Sequence, residues 1–123
     1  DVGRAINRDA VIGQIQGGFV QGMGYALMEF VQYDESGRML TENFNTYVIP
    51  TIHETPKFEI SLVEKPFKLG PYGAKGIGEP SLIPTPAAVA NAVSHAIGKR
   101  VKRLPMTPEY ILSLMVRDEA EVV

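Results

Sequence analysis

Apolar residues recur at spacings of three and four along the first part of the chain: Val11, Ile12, Ile15, Phe19, Met23, Ala26, Leu27 and Phe30. That period is helical and predicts one long, largely buried helix from Arg8 to about Tyr33. Asn7 is placed to cap it, because its side-chain oxygen can accept from an amide of the first turn that has no helical partner. Asp9 sets a negative charge against the positive end of the helix dipole. The residues before the helix, Asp1 to Ile6, read as the tail of a strand. The helix carries Gly13, Gly17, Gly18, Gly22 and Gly24. Each glycine costs about 1 kcal/mol against alanine in a helix interior. Such a pattern points to close approach by another backbone or a bulky ligand, or to tight helix packing alone.

The pattern then changes. Asp34-Glu35-Ser36-Gly37-Arg38 is a turn by composition, and Met39 to Thr41 reads as a short strand. Lys57 to Glu64 alternates apolar and polar residues and reads as a half-buried strand. From Pro66 to Pro86 proline and glycine are frequent, which predicts loop for much of that length. Ala87 to Ile97 is a small-residue helix, with Thr85 as its expected cap, Pro86 at its first position and Gly98 as its stop. Pro80 and Pro84 argue against an unbroken helix from Glu79, while allowing a short turn there. Thr107 and Pro108 open a last helix whose apolar face is Tyr110, Ile111, Leu114 and Met115. The acidic tail after Arg117 is expected to fray. The predicted class is therefore α+β: a long buried N-terminal helix, a few short strands and two further C-terminal helices.

Composition narrows the function. The 123 residues, 45% hydrophobic, fit one small domain with its own core. A formal net charge of −2 gives no reason to expect a nucleic-acid partner. The only basic cluster, Lys99-Arg100-Val101-Lys102-Arg103, reads as a solvated segment. The absence of cysteine excludes thiolate zinc sites, disulfides and iron–sulfur clusters within this chain. His53 and His95 lack paired ligand spacing, so no metal held directly by protein ligands is expected. No apolar run approaches the ~18–20 residues needed to span a bilayer, and no signal peptide is visible. A chain opening on Asp-Val-Gly-Arg-Ala-Ile-Asn is expected to be an excised or processed piece of a longer protein.

Two stretches can carry chemistry. In Gly70-Pro71-Tyr72-Gly73-Ala74-Lys75-Gly76-Ile77-Gly78-Glu79-Pro80, glycines surround one carboxylate. Glycine lets the backbone approach a ligand closely, and amides freed in such a loop can face an anion. The plainer alternative is a surface loop with an exposed Glu. A nucleotide P-loop does not fit, because Lys75 is followed by Gly76 and Ile77 rather than by Ser or Thr. In Gly13 to Gly24, Gln14 and Gln21 fall on one helix face. A buried amide there would need partners, and it could both donate to and accept from a heterocycle or a phosphate-bearing cofactor. Satisfaction by neighbouring backbone is the alternative for each.

Taken in order, Asp-Val-Gly-Arg-Ala-Ile-Asn, Gly-Gln-Ile-Gln-Gly-Gly-Phe-Val-Gln-Gly-Met-Gly, Asn-Phe-Asn-Thr-Tyr-Val-Ile-Pro-Thr, Gly-Ala-Lys-Gly-Ile-Gly-Glu-Pro and Leu-Pro-Met-Thr-Pro-Glu span nearly the whole chain. This succession resembles the C-terminal part of the molybdopterin-binding subunit of molybdenum hydroxylases, the xanthine dehydrogenase and aldehyde oxidase family. The wording of the glycine-rich loop is more similar to bacterial xanthine dehydrogenase-type hydroxylases than to carbon monoxide dehydrogenases. The resemblance implies that residues 1–123 are the C-terminal part of a molybdopterin-binding domain. It implies a cytoplasmic oxidoreductase that uses water-derived oxygen to oxidise a purine, an aldehyde or a related heteroaromatic carbon. It implies that Glu79 is the active-site glutamate, a general base, and that Gln14 contacts the pterin. Lys75, Gly76 and Gly78 would bind cofactor in the loop flanking the metal centre, with no residue of this chain ligating the metal. Gln21 and the helix glycines are assigned to packing. The implied cofactor is molybdenum–molybdopterin, with iron–sulfur clusters and FAD in other domains or subunits. The implied partners are the remainder of the large subunit, the iron–sulfur and flavin subunits, and a small-molecule substrate.

A general base must lie within hydrogen-bond reach of the proton that it takes. Pro80, after Glu79, suits a helical first turn whose dipole favours a negative charge, while an apolar pocket would oppose ionisation. Alone, such a piece is expected to be inactive, and to expose apolar surface where the rest of the subunit would cover it. The competing expectations are a stand-alone anion- or nucleotide-binding module built on the glycine-rich loop, and a catalytically dead structural relative.

Overall fold

The first helix, α1 (Arg8–Leu27), starts as the sequence predicts: the Asn7 side-chain oxygen accepts from the Ala10 amide at 2.9 Å, with Asp9 in the first turn. The computed structural model describes residues 1–116, so the acidic tail after Arg117 lies outside the described residues. α1 stops at Leu27 rather than near Tyr33. The Met28 and Glu29 amides both turn to the Gly24 carbonyl, each at 2.9 Å, and this shared acceptor ends the ladder. Gly24 permits it. A Cβ there would sit 2.8 Å from the Pro50 ring, which packs against this end of the helix. Phe30 and Tyr33, beyond the stop, are exposed.

Two further helices follow, α2 (Thr85–Ile97) and α3 (Pro108–Val116). Gly98 closes α2 in the left-handed conformation, with φ 69°. Thr85 is not its cap. It is the first helical residue, and its hydroxyl donates back to the Ser81 carbonyl at 2.6 Å, because the chain already turns helically before it. Thr107 does cap α3, its Oγ1 accepting from the Tyr110 amide at 3.3 Å. The buried core is Ala26, Val101, Met106 and Tyr110, with Val89, Val93, Ile97 and Leu114 packed around it. It clamps the C-terminal end of α1 against α2 and α3, and the Met106 amide bonds directly to the Ala26 carbonyl at 2.7 Å.

The expected strands are the main correction to the α+β assignment. Among the described residues, β pairing is limited to two isolated bridges, Gly3–Ala74 and Tyr33–Met39. Met39–Thr41 is therefore one bridge across the predicted 34–38 turn, which the Asp34 carboxylate organises by accepting from Ser36 and Arg38. Those bonds, the Ser36 side chain first, hold the Asp34 carboxyl below its ordinary range. Residues 57–64 keep the alternation that the sequence shows, with Phe58, Ile60 and Leu62 half-buried. Phe58 packs edge-on against Phe19 of α1, with ring centroids 5.4 Å apart. Alternation specifies a buried face, but a strand also needs a neighbouring backbone. Here the neighbour is met at one point, where the Val2 amide bonds to the Val63 carbonyl at 3.1 Å.

Large apolar side chains lie exposed, among them Phe44 (77%), Ile52 (80%) and Leu69 (87%). Tyr47 provides a titratable marker of the region beside α1. Its hydroxyl donates to Glu29 Oε2 at 2.6 Å, and chiefly for that reason its pKa is raised above the ordinary 10.0. The neutral phenol makes this bond, so its stabilisation is complete below the unfolded value of ~10 and is lost as pH rises through the folded value. The stability difference between wild type and Tyr47→Phe should thus hold from pH 7 to about 9 and close at higher pH, read by denaturant unfolding of the intact subunit.

Candidate functional site

The glycine-rich loop is laid against the first residues of the chain. The Arg4 amide bonds to the Gly73 carbonyl at 2.9 Å, and the Lys75 amide to the Val2 carbonyl at 3.0 Å. Gly3 makes this possible: its φ is +64°, and a Cβ there would collide with the Gly73 carbonyl. A 3-10 turn, Pro71–Gly73, leads in. The amides of Gly73, Ala74 and Lys75 are bonded to the carbonyls of Gly70, Pro71 and Val2. These three amides are already committed and are not free to cradle an anion.

Beyond Lys75 the loop crosses to α1. The Gln14 side-chain amide donates to the Gly78 carbonyl at 2.6 Å. Glu79 follows at once, and its carbonyl accepts from Leu82 at 2.9 Å and from Ile83 at 3.2 Å. This is the short helical turn that Pro80 allows at its first position. Ser81 returns to α1, its hydroxyl donating to the Gln14 carbonyl at 3.3 Å. The turn can lie this close only because α1 presents Gly18 and Gly22, one helical turn apart, on the facing side. A Cβ on Gly18 would be 3.2 Å from the Leu82 amide nitrogen, and one on Gly22 would be 2.7 Å from Thr85 Cβ. Close backbone approach therefore explains these two helix glycines. Gly13 and Gly17 have nothing within 4 Å of an added Cβ.

The result is a cleft of about 670 Å³ whose lining includes Gln14, Gly17, Gln21 and Tyr25 from α1 and Gly78 and Glu79 from the loop. That volume lies within the usual range of small-molecule sites. Among the described residues nothing pairs with the Glu79 carboxylate, so it is available to whatever enters. A second cavity of about 430 Å³ lies beside it, lined in part by Arg4, Asn7, Lys75 and Ile77. Gln14 and Gly78 line both, so their hydrogen bond forms part of the wall between them. Among the described residues no group of three His, Asp or Glu side chains is placed to hold a metal ion.

Of the residues singled out in the sequence, Gln14, Gly78 and Glu79 meet at one cleft. Lys75 faces the neighbouring cavity, and its ammonium is ion-paired with Asp1. Gly76 lines neither. Gln21, assigned to packing, is instead exposed and lines the cleft, its amide donating to the Tyr25 hydroxyl at 2.7 Å. Sequence reasoning missed Tyr25, and it assigned Gly17 to packing with the other helix glycines. The signal for Tyr25 was present, since it stands on the helix face that carries Gln14 and Gln21.

Comparison with known proteins gives a consistent picture. A family model for the molybdopterin cofactor-binding domain matches residues 1–56. The nicotine 6-hydroxylase large subunit of Paenarthrobacter nicotinovorans is 44% identical over 115 residues, which is 91% of this chain and 14% of that protein. The xanthine dehydrogenase molybdenum-binding subunit of Escherichia coli O157:H7 is 38% identical over 110 residues, covering 89% of this chain and 15% of that subunit. In the crystal structure of quinoline 2-oxidoreductase from Pseudomonas putida 86, 15% of the chain superposes on 94% of this one, with a TM-score of 0.87 and 39% identity.

Proposed function

The chain belongs to the molybdopterin-binding large subunits of the xanthine dehydrogenase and aldehyde oxidoreductase family, and from that premise we propose that it is the C-terminal part of the molybdopterin-binding domain, supplying a general base, Glu79, and a cofactor contact, Gln14. The activity is that of the whole enzyme: oxidation of a purine, an aldehyde or a related heteroaromatic carbon with oxygen derived from water. The carrying observation is that Glu79 and Gln14, distant in sequence, line one cleft.

The residues present suit a pterin. Gln14 spends one N–H on Gly78, which fixes the amide plane and leaves its carbonyl and second N–H for a heterocycle that alternates donors and acceptors. Gly17 gives the cleft a floor that a single methyl group would begin to fill, as a flat ring system requires. Gly76 and Gly78 carry no side chain in the flanking loop, and Lys75 and Ile77 line the adjoining cavity. When bound, the molybdenum–molybdopterin cofactor supplies the redox centre at which an electron-poor carbon exchanges hydrogen for oxygen. Glu79, with no internal partner, takes the proton that this exchange releases from an oxygen acid brought within hydrogen-bond reach. The rest of the large subunit covers the exposed apolar faces. Iron–sulfur and flavin domains or subunits carry the electrons away, and the setting is the cytoplasm.

Molybdenum analysis of the intact subunit tests the cofactor contact. Gln14→Ala should weaken cofactor retention by roughly 10–100-fold, the usual effect of removing an orienting polar partner. Gly17→Ala should leave the helix unharmed or more stable by up to about 1 kcal/mol, yet lower molybdenum content, because its methyl group occupies the floor. Full molybdenum stoichiometry in both variants would overturn the assignment.

A further inference from the structure

We propose that Lys75 is a positioning residue, which acts through its ion pair with Asp1 to hold the loop that presents Glu79; the proposal rests on the reading of Glu79 as the base. Between Lys75 and Glu79, Gly76 would meet nothing within 4 Å even with a Cβ, and Ile77, half-buried beside the second cavity, makes no backbone hydrogen bond among the described residues. The polar contacts that fix the loop lie at its ends. At the far end Gln14 grips the Gly78 carbonyl at 2.6 Å, and the Glu79 carbonyl is fixed by the turn that follows. At the near end stands Lys75, whose amide is bonded to Val2 and whose ammonium is paired with the Asp1 carboxylate.

Asp1 is well placed to anchor such a strut. Its Oδ1 accepts from the Gly3 amide at 2.9 Å and from the Lys65 amide at 3.1 Å, while Oδ2 takes the Lys75 ammonium. One carboxylate thus joins the first residues, the extended 57–65 segment and the glycine-rich loop. The two side chains are 28% and 36% exposed, so the pair is partly shielded from solvent. A charge-assisted bond in that setting is stronger than an open surface pair. The ammonium is thereby already matched with a carboxylate, which favours orientation of the loop over contact with cofactor.

The test uses the cofactor-loaded enzyme with Asp1→Asn, Lys75→Met, the double variant and Lys75→Arg. Backbone hydrogen exchange over residues 74–79 is measured beside molybdenum content and turnover, with hypoxanthine, quinoline and benzaldehyde as probes. Lys75→Met and Asp1→Asn should each speed exchange by about three- to tenfold. Both should lower kcat with KM and molybdenum content unchanged, and the double variant should be no worse than either single one. Lys75→Arg should restore the wild-type behaviour. Unchanged exchange, or effects that multiply in the double variant, would overturn the proposal. So would a loss of molybdenum on Lys75→Met without faster exchange, which would return Lys75 to cofactor contact. The two readings fail separately. Wild-type turnover in Glu79→Gln would remove the base while exchange still reports on the strut, and unchanged exchange beside an inactive Glu79→Gln would remove the strut alone.

Discussion

Glu79→Gln in the intact large subunit is expected to lower kcat by roughly 10²–10⁴-fold, the usual cost of removing a general base. The substitution keeps the size and shape of the side chain but replaces one acceptor oxygen with an NH2 donor, removes the negative charge and leaves no group able to take a proton. Glu79 is exposed within this chain, and no described residue pairs with it. Folding should therefore change by no more than about 0.5 kcal/mol, as for other surface substitutions away from packed features. The loop itself is held elsewhere, by Gln14 on Gly78 and by the backbone bonds at Gly73 and Lys75. A loss of turnover in a variant that folds normally is thus a chemical loss. Steady-state kinetics beside circular dichroism makes the distinction.

Gly22→Val should damage the packing of the Glu79 turn on α1. An ideal Cβ at Gly22 already lies 2.7 Å from Thr85 Cβ and 3.1 Å from the Leu82 carbonyl oxygen. Neither neighbour can give way easily. Thr85 is 4% exposed and tied to Ser81, and Leu82 belongs to the turn that begins at Glu79. Overpacking of this kind costs roughly 1–3 kcal/mol, and the branched valine falls at the upper end. It should also push the Glu79 turn away from α1, so activity falls together with stability. Gly13→Ala is the control. Nothing lies within 4 Å of its Cβ, and alanine there should stabilise the helix by up to about 1 kcal/mol. Denaturant unfolding of the intact subunit reads both.

What could be read in the sequence was local. Helix starts at Asn7 and Thr107, the stop at Gly98 and the turn at Asp34 follow from side chains that satisfy neighbouring backbone groups. What could not be read depended on partners. The strand pattern at 57–64 gave the half-buried face correctly, but pairing needs a second backbone, which among the described residues is met only near Val2. The end of α1 comes at the shared Gly24 carbonyl, beside which Pro50 packs, and no periodicity reveals it. Within the site, the shared helix face of Gln14 and Gln21 was visible, but the meeting of Gln14 with Gly78 was not. Composition also could not tell that Lys75 would be matched with Asp1.

Turnover per bound molybdenum, compared between Glu79→Gln and Gln14→Ala, tests most directly whether this cleft unites a base with a cofactor contact. Glu79→Gln should keep its molybdenum and lose at least a hundredfold in rate per metal, whereas Gln14→Ala should lose metal while the molecules that retain it still turn over. A Glu79→Gln enzyme working at the wild-type rate per molybdenum would contradict the account.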